Sequence, residues 1–324
     1  MLEGIPKISV LIICYKQEEL VKRAINSLLA QKDYIYEICV SDDCSPDRTW
    51  EVLQDYDKQY PGLFKLHRNH PNLGIFENIE YTWIMPTGDI VYQLAGDDEC
   101  GEGWFKTVIE YILKNNINYK KELFCIYGDY ACIDINKKLI RISNNLVLTG
   151  ANIMSLALRG LVCNRSTCFS VKIMHKYFKT SQGRSHIAET SQDRQLQFFT
   201  EKNYYISQIG NIYHSGVGVS IDVSKGKFSN ERKHIISYMV SCFSEYGYCP
   251  TKYDRRYIKF DEAFNDFLYR KSIRNAIRMA FRLLLSYDTS IGIKSLNLIF
   301  LLSHINRVKF YLLNHVRDAF SGQQ

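Results

Sequence analysis

Charged residues are sparse in this sequence. They make up 23% of its 324 residues, against 46% hydrophobic, which excludes a disordered, collagenous or low-complexity chain. The ten cysteines form no CxxC pair, and Cys14, Cys39 and Cys125 lie inside apolar runs where a thiol behaves as a small hydrophobe. They are read as reduced thiols, and the compartment as cytoplasmic. The stretch from Met1 to Lys7 has no apolar segment, so no secretory signal is expected there. The apolar run Leu296 to Leu302 is too short to span a bilayer. Neither GxxxxGK[ST] nor GxGxxG occurs, so any phosphate is held by something other than a P-loop or a dinucleotide fingerprint. The length allows one large or two ordinary domains, either able to bury a core without disulfide or metal staples.

The net charge of +7 is unevenly spread. Residues 1–220 hold 24 basic and 25 acidic side chains, and residues 221–324 hold 17 and 9. Glycine and proline thin out in the second part, where apolar residues recur at helical spacing. The expected division is therefore a folded domain over 1–220 and a helical, basic region over 221–324.

In the first part, Ile8 to Ile13 is a β-branched run suited to a strand buried on both faces, and Glu18 to Gln31 follows with helical periodicity. Tyr36 to Val40 reads as a second strand, Thr49 to Tyr60 as a helix, Phe64 to Arg68 as a third strand, Leu73 to Met85 as a helix and Ile90 to Leu94 as a fourth strand. Alternation of this kind predicts an α/β fold with a mostly parallel sheet, which binds ligands beyond the carboxyl ends of its strands. Two acidic pairs fall at such ends: Asp42/Asp43 and Asp97/Asp98.

Adjacent carboxylates at the tips of buried strands repel unless a cation is shared. Hard ions such as Mg²⁺ or Mn²⁺ suit them, and a magnesium-type site takes one or two protein carboxylates plus substrate phosphate oxygens. A nucleotide diphosphate held through a metal is the expectation. The alternative makes Asp42 and Asp47 helix caps and the second pair solvated turn residues.

The segments Ser9 to Tyr15, Val40 to Thr49, Asn72 to Asn78, Gly88 to Ile90 and Leu94 to Asp98 together resemble the motifs of family-two glycosyltransferases of the GT-A fold, over roughly residues 7–220. The resemblance implies a GT-A domain, a nucleotide-sugar donor with a UDP-sugar favoured, Mn²⁺ or Mg²⁺ as cofactor, and inverting transfer. Tyr15 then matches the residue packing on the donor base, and Asp43 the acceptor for a base N–H, with Asp42 a second candidate. Asp97 matches the ribose contact and Asp98 the metal ligand. Two departures stand out: Ile13-Cys14-Tyr15-Lys16 replaces the usual Pro-Thr-Tyr-Asn, and Ala95 replaces the first Asp of the DxD element. Lys16 is placed near the phosphates or, alternatively, is a solvated lysine at a helix start.

Sugar transfer also needs a base for the acceptor hydroxyl. Asp193, in Ser191-Gln192-Asp193-Arg194, resembles the family's Glu-Asp element and is the catalytic candidate, with Gln192 in place of Glu; the alternative makes it a favourable charge in a first helical turn. Tyr204 to Ile209 reads as a strand. The segment Ile212 to Ser220 resembles the family's stretch beside the donor diphosphate, with His214 where Arg is common. Phe124 to Ile135 alternates like a strand, with Asp129 and Asp134 at solvated positions, and Asn164 to Phe169 occupies the place where relatives shape the acceptor pocket.

In the basic region, Arg270, Arg274, Arg278 and Arg282 recur every fourth residue and mark an amphipathic helix. It either lies on an anionic membrane or packs on the catalytic domain or a second subunit. No nucleic-acid module is recognisable, so no nucleic-acid partner is expected. The functional expectation is a glycosyltransferase making bacterial surface polysaccharide or glycolipid on a saccharide or lipid-linked acceptor, cytoplasmic or peripheral on the inner face of the plasma membrane. Two other readings are carried: a non-catalytic GT-A scaffold, motivated by Ala95 and Gln192, and a sugar-phosphate nucleotidyltransferase, for which the Gly-rich basic loop is missing after the first strand.

Overall fold

The computed structural model describes residues 4–134, 136, 138–143, 166–177 and 200–216, with the isolated positions 249, 255, 258 and 259. The chain divides into two compact units, Met1–Met154 with Val162–Phe228 and Ser155–Leu161 with Ser229–Gln324. The sheet described below belongs to the first. Asp193, Gln192 and the Arg270 to Arg282 stripe lie outside the described residues, as does the division expected after Ser220.

Among the described residues nine strands form one mixed sheet. In chain order the elements are β1 (Ile8–Cys14), α1 (Leu20–Leu29), β2 (Glu37–Asp42), α2 (Thr49–Gln59), β3 (Phe64–Arg68), α3 (Ile75–Trp83), β4 (Ile90–Ala95), β5 (Glu99–Cys100), α4 (Trp104–Lys114), β6 (Phe124–Ile133), β7 (Leu139–Ser143), β8 (Thr167–Ser170), α5 (Val171–Tyr177) and β9 (Lys202–His214). The strand order is β3-β2-β1-β4-β8-β6-β9-β5, with β7 paired to β6 off this path. The first four strands are mutually parallel. β8 runs antiparallel to both β4 and β6, and β6 and β9 are parallel to each other. Inserting β8 makes the sheet mixed while keeping the carboxyl ends of β1, β2, β4, β6 and β9 at one end.

The β-branched run of β1 is buried because helices cover both sheet faces. Alternation along a strand sends Val10 and Ile12 to a core shared with Val21, Ala24, Ile25 and Leu28 of α1 and Phe105, Val108 and Ile112 of α4. It sends Leu11 to a second core with Ile79 and Trp83 of α3 and Val171, Ile173 and Met174 around α5. β6 departs from the alternation expected of it: nearly every residue is buried, since it lies inside the sheet between β8 and β9. Asp129 is correspondingly buried rather than solvated, and accepts the Tyr205 hydroxyl at 2.7 Å. Burial pushes the thiols of Cys39, Cys100 and Cys125 up to about 12, so they act as small apolar groups. Among the described residues no helix is long and apolar enough to cross a membrane.

Glu37 gives the sheet a titratable tie between three strands. Burial alone would raise its carboxyl, but Lys65 Nζ (2.6 Å), Ser9 Oγ (2.6 Å) and the Thr87 N–H and hydroxyl hold it below the ordinary 4.5. A carboxylate lowered on folding contributes stability that is full above its unfolded pKa and is lost as pH falls through the folded one. Urea midpoints measured from about pH 5 down to about pH 3 are therefore expected to fall more steeply in the wild type than in Glu37→Gln. Equal slopes would refute this account of the network.

Candidate functional site

The strand order reverses at β1, which has β2 on one side and β4 on the other. A crevice opens at such a switch point, beyond the carboxyl ends. Register places Cys14 beside Asp42 and Ile13 beside Ala95, so the two acidic loops flank the end of β1, two strand spacings or about 10 Å apart.

On the β2 side the loops are stitched together. Lys16 (φ 55°) and Cys44 (φ 57°) adopt left-handed backbone without being glycine, a conformation costing about 1 kcal/mol or more that neighbouring bonds must hold. The Lys16 N–H donates to Ser45 Oγ at 3.0 Å, the Gln17 N–H to Thr49 Oγ1 at 2.9 Å, and the Asp43 N–H to Cys14 O at 3.0 Å. Tyr15 is left 43% exposed at the mouth, with Lys16 Nζ 5.3 Å from its ring centroid.

The two aspartates of this pair have different surroundings. Asp42 is the last residue of β2, fully buried, and accepts the Ser45 N–H at 3.1 Å and the Ser45 hydroxyl. Arg68 Nε lies 3.3 Å away as an ion pair without hydrogen-bond alignment, and the same guanidinium donates to Ser45 O at 3.0 Å. Asp43 clasps the following loop: Oδ1 accepts from Asn69 Nδ2 (2.9 Å) and the Leu73 N–H (2.8 Å), and Oδ2 from the Gly74 N–H (2.8 Å). Three of about four acceptor sites are thereby filled. Gly74 presents its N–H from φ 90°, ψ 162°, a region open essentially to glycine alone. The cation expected to relieve this pair is unnecessary, because Arg68 and peptide N–H groups do so.

On the β4 side, Gly96 packs so closely that a Cβ would lie 2.3 Å from Gln17 Oε1 and 2.9 Å from Ile13 O. Asp97 follows, half-buried, its carbonyl accepting from Arg23 of α1. Asp98 is buried; its N–H donates to Ala95 O at 3.1 Å, and its Oδ1 accepts the His214 N–H at 3.1 Å. The β5–β9 pairing, Glu99 opposite Ile212 and Cys100 opposite Asn211, brings His214 here from 116 residues away. Its Nε2 meets Glu99 Oε1 at 2.6 Å, and Arg23 Nε lies 3.6 Å from the same oxygen. Burial pushes the imidazole pKa down, and the Glu99 bond opposes this without reversing it. Across the 2.6 Å contact the Glu99 carboxylate can only accept, so the Nε2 side of the ring is the donor.

Structure thus brings Tyr15, Lys16, Asp42 and Asp43 to one side of the β1 end, and Asp97, Asp98 and His214 to the other. Glu99, Arg23 and Asn69 were missed in the sequence, whereas Asn72 to Gly74 lay inside a motif already singled out, without the contact to Asp43 being read. Arg68 was recoverable, since consecutive parallel strands ending together place it opposite Asp42. Among the described residues no three His, Cys, Asp or Glu side chains are grouped to hold a metal. Asp98, the expected metal ligand, carries carboxylate oxygens of the hard type that Mg²⁺ or Mn²⁺ takes alongside diphosphate oxygens. An open hollow lined by Lys121, Leu123, Lys172, His175 and Glu201 lies at the opposite end of the sheet, by the starts of β6 and β9.

The mixed α/β sheet with acidic loops at its switch point has the GT-A-type fold of the solved glycosyltransferase structures it resembles. Residues 9–120 match the family described as Glycosyl transferase family 2, so the resemblance read in the sequence is borne out over that stretch. The chain is similar to the putative glycosyltransferase EpsE of Bacillus subtilis, at 30% identity over 93 residues, 29% of this chain and 34% of that one. It is also similar to the dolichol-phosphate mannosyltransferase of Pyrococcus furiosus, at 35% over 95 residues, 28% and 26% of the two chains. These matched stretches span only about a quarter to a third of the relatives' own length. In structure it resembles residues 1–349 of S. aureus TarS in complex with UDP-GlcNAc, with TM-score 0.55, 14% identity, and 98% and 92% of the two chains covered. That likeness shows the fold.

Proposed function

We propose that this protein transfers a sugar from a nucleotide-sugar donor, with a UDP-sugar favoured, to an acceptor hydroxyl with inversion. The observation that carries the reading is the pairing of β5 with β9, which sets Asp98, Glu99 and His214 together beyond β4, across the β1 end from Tyr15 and Asp43. A spacing of about 10 Å between the two loops suits a nucleoside at one and its diphosphate at the other. Tyr15 offers an exposed ring for the base, and the remaining acceptor site on Asp43 a partner for its N–H. Asp97 would contact the ribose and Asp98 would hold Mn²⁺ or Mg²⁺, which when bound would neutralise the departing diphosphate as a Lewis acid. His214, its Nε2 engaged by Glu99, stands where Arg is common, and Arg23, 3.6 Å from the same Glu99 oxygen, supplies positive charge on this side of the β1 end. Asp193 is assigned as the base that takes the acceptor proton. The bound UDP-GlcNAc of the TarS complex supports a UDP-sugar, and the names of the relatives support glycosyl transfer.

A ligand that binds only the native state stabilises it by about 2.7 kcal/mol at a hundredfold excess over Kd. Thermal shifts are to be measured with UDP-, GDP-, CMP- and dTDP-sugars, with and without Mn²⁺. A metal-dependent rise with one nucleotide class is expected. No rise with any donor would overturn the reading in favour of a scaffold, and an anomer retained in the product by NMR would overturn inversion.

A further inference from the structure

β7 stands apart from the rest of the sheet. It pairs with β6 alone, and its aliphatic side chains are open to solvent: Leu139 52%, Ile140 54% and Ile142 51% exposed. Nine large hydrophobic residues are exposed in the described part, and three of them fall within these four positions, a patch rather than scattered exposure. Register skips Ile140, with Ile133 opposite Leu139 and Cys132 opposite Arg141, so a bulge breaks the strand where it is most apolar.

In the sequence, Lys137 and Lys138 precede the aliphatics and Arg141 lies among them, against one acid, Asp134. Asp134 closes the turn, accepting the N–H groups of Asn136 and Lys138 at 2.9 Å each. Exposed aliphatics mixed with Lys and Arg match the interface of an anionic bilayer, where apolar groups enter the acyl boundary and cations meet lipid phosphate. A second copy docking about a two-fold axis would set two such basic hairpins against each other, which like charge disfavours.

The hairpin also leaves the sheet at the informative end. Ile133, where β6 finishes, pairs with His214, and the Ser215 N–H donates to Ile133 O at 2.8 Å. We propose that the β6–β7 hairpin docks on an anionic lipid bilayer and sets the Asp98–His214 end of the sheet toward the membrane surface. Docking does not depend on the donor reading. The consequence that the acceptor is lipid-linked rests on that reading.

The test uses the full chain with phosphatidylcholine vesicles, with and without about 30% phosphatidylglycerol. Because the basic C-terminal third offers cations of its own, the deciding readout is position-specific: an Ile140→Trp variant on vesicles with brominated acyl chains. The protein is expected to float with anionic vesicles only, with the added tryptophan blue-shifted and quenched beyond the wild-type background. The triple variant Leu139→Ser, Ile140→Ser, Ile142→Ser, exposed and so expected to stay folded, should partition about tenfold or more weakly. Flotation with an unquenched Trp, equal binding by the triple variant, no flotation at all, or a dimer that the triple variant abolishes would each overturn the proposal. Donor-induced thermal shifts on the same samples report the nucleotide site separately, so either reading can fail alone.

Discussion

Asp98→Asn is expected to lower turnover on the order of 10²-fold or more while leaving the fold in place. The substitution keeps an oxygen to accept the His214 N–H, which Asp98 Oδ1 takes at 3.1 Å, while it removes the charge and turns the second acceptor oxygen into an NH2 donor. If that charge holds a metal against the departing diphosphate, its loss falls on the step in which negative charge builds on the leaving group, so kcat drops and metal dependence weakens. Release of nucleoside diphosphate at saturating donor is the measurement, with unfolding midpoints alongside to show that structure is retained. Glu99→Gln is the informative neighbour, since Glu99 is committed to His214 and Arg23 within the protein and its loss should act by loosening His214. Turnover within a few-fold of wild type in Asp98→Asn would move the metal or the chemistry elsewhere.

The difference between Asp42 and Asp43 marks how far the sequence could be read. Strand periodicity and the acidic pairs at strand ends were legible because they are local: β3 was bounded as observed, and β1, β2 and β4 came within two residues of their limits. Beyond the ends, what each aspartate does is decided by partners 26 to 31 residues away in the Asn69 to Gly74 loop and at Arg68. No local pattern carries that. Strands β5, β7 and β8 were missed for the same reason, because strands of two to five residues are defined by the neighbours they pair with. β9 was cut short at Ile209 although it runs to His214, so the sequence separated His214 from the strand that delivers it to Asp98. Asp129 was misplaced because its neighbours come from distant segments, Ser166 just before β8 and Tyr205 and Ile209 of β9, and together remove it from water.

The junction that delivers His214 should also be the least tolerant of added volume, and Gly101→Ala is expected to cost about 3 kcal/mol or more and to abolish donor binding. A Cβ at Gly101 would lie 1.8 Å from Ile209 O and 3.1 Å from Gly210 Cα. Both obstacles are backbone, so no rotamer relieves them, and the two segments must part. The Gly101 N–H to Gly210 O bond (3.0 Å) and the Gln31 Nε2 to Gly101 O bond (3.0 Å) are stretched or lost as they do. Two residues away, the same displacement withdraws His214 from Asp98 and Glu99, since β5 and β9 hold that contact through Cys100–Asn211 and Glu99–Ile212. Gly103 supplies the control. Its φ is 66°, yet the nearest atom to a new Cβ is Gln208 Nε2 at 3.8 Å, so Gly103→Ala meets backbone strain alone, about 1 kcal/mol, and should bind donor normally. Urea unfolding and donor titration of the two variants side by side separate close approach from backbone conformation. A Gly101→Ala protein as stable as Gly103→Ala, with donor binding intact, would mean that the β5–β9 junction does not build the site.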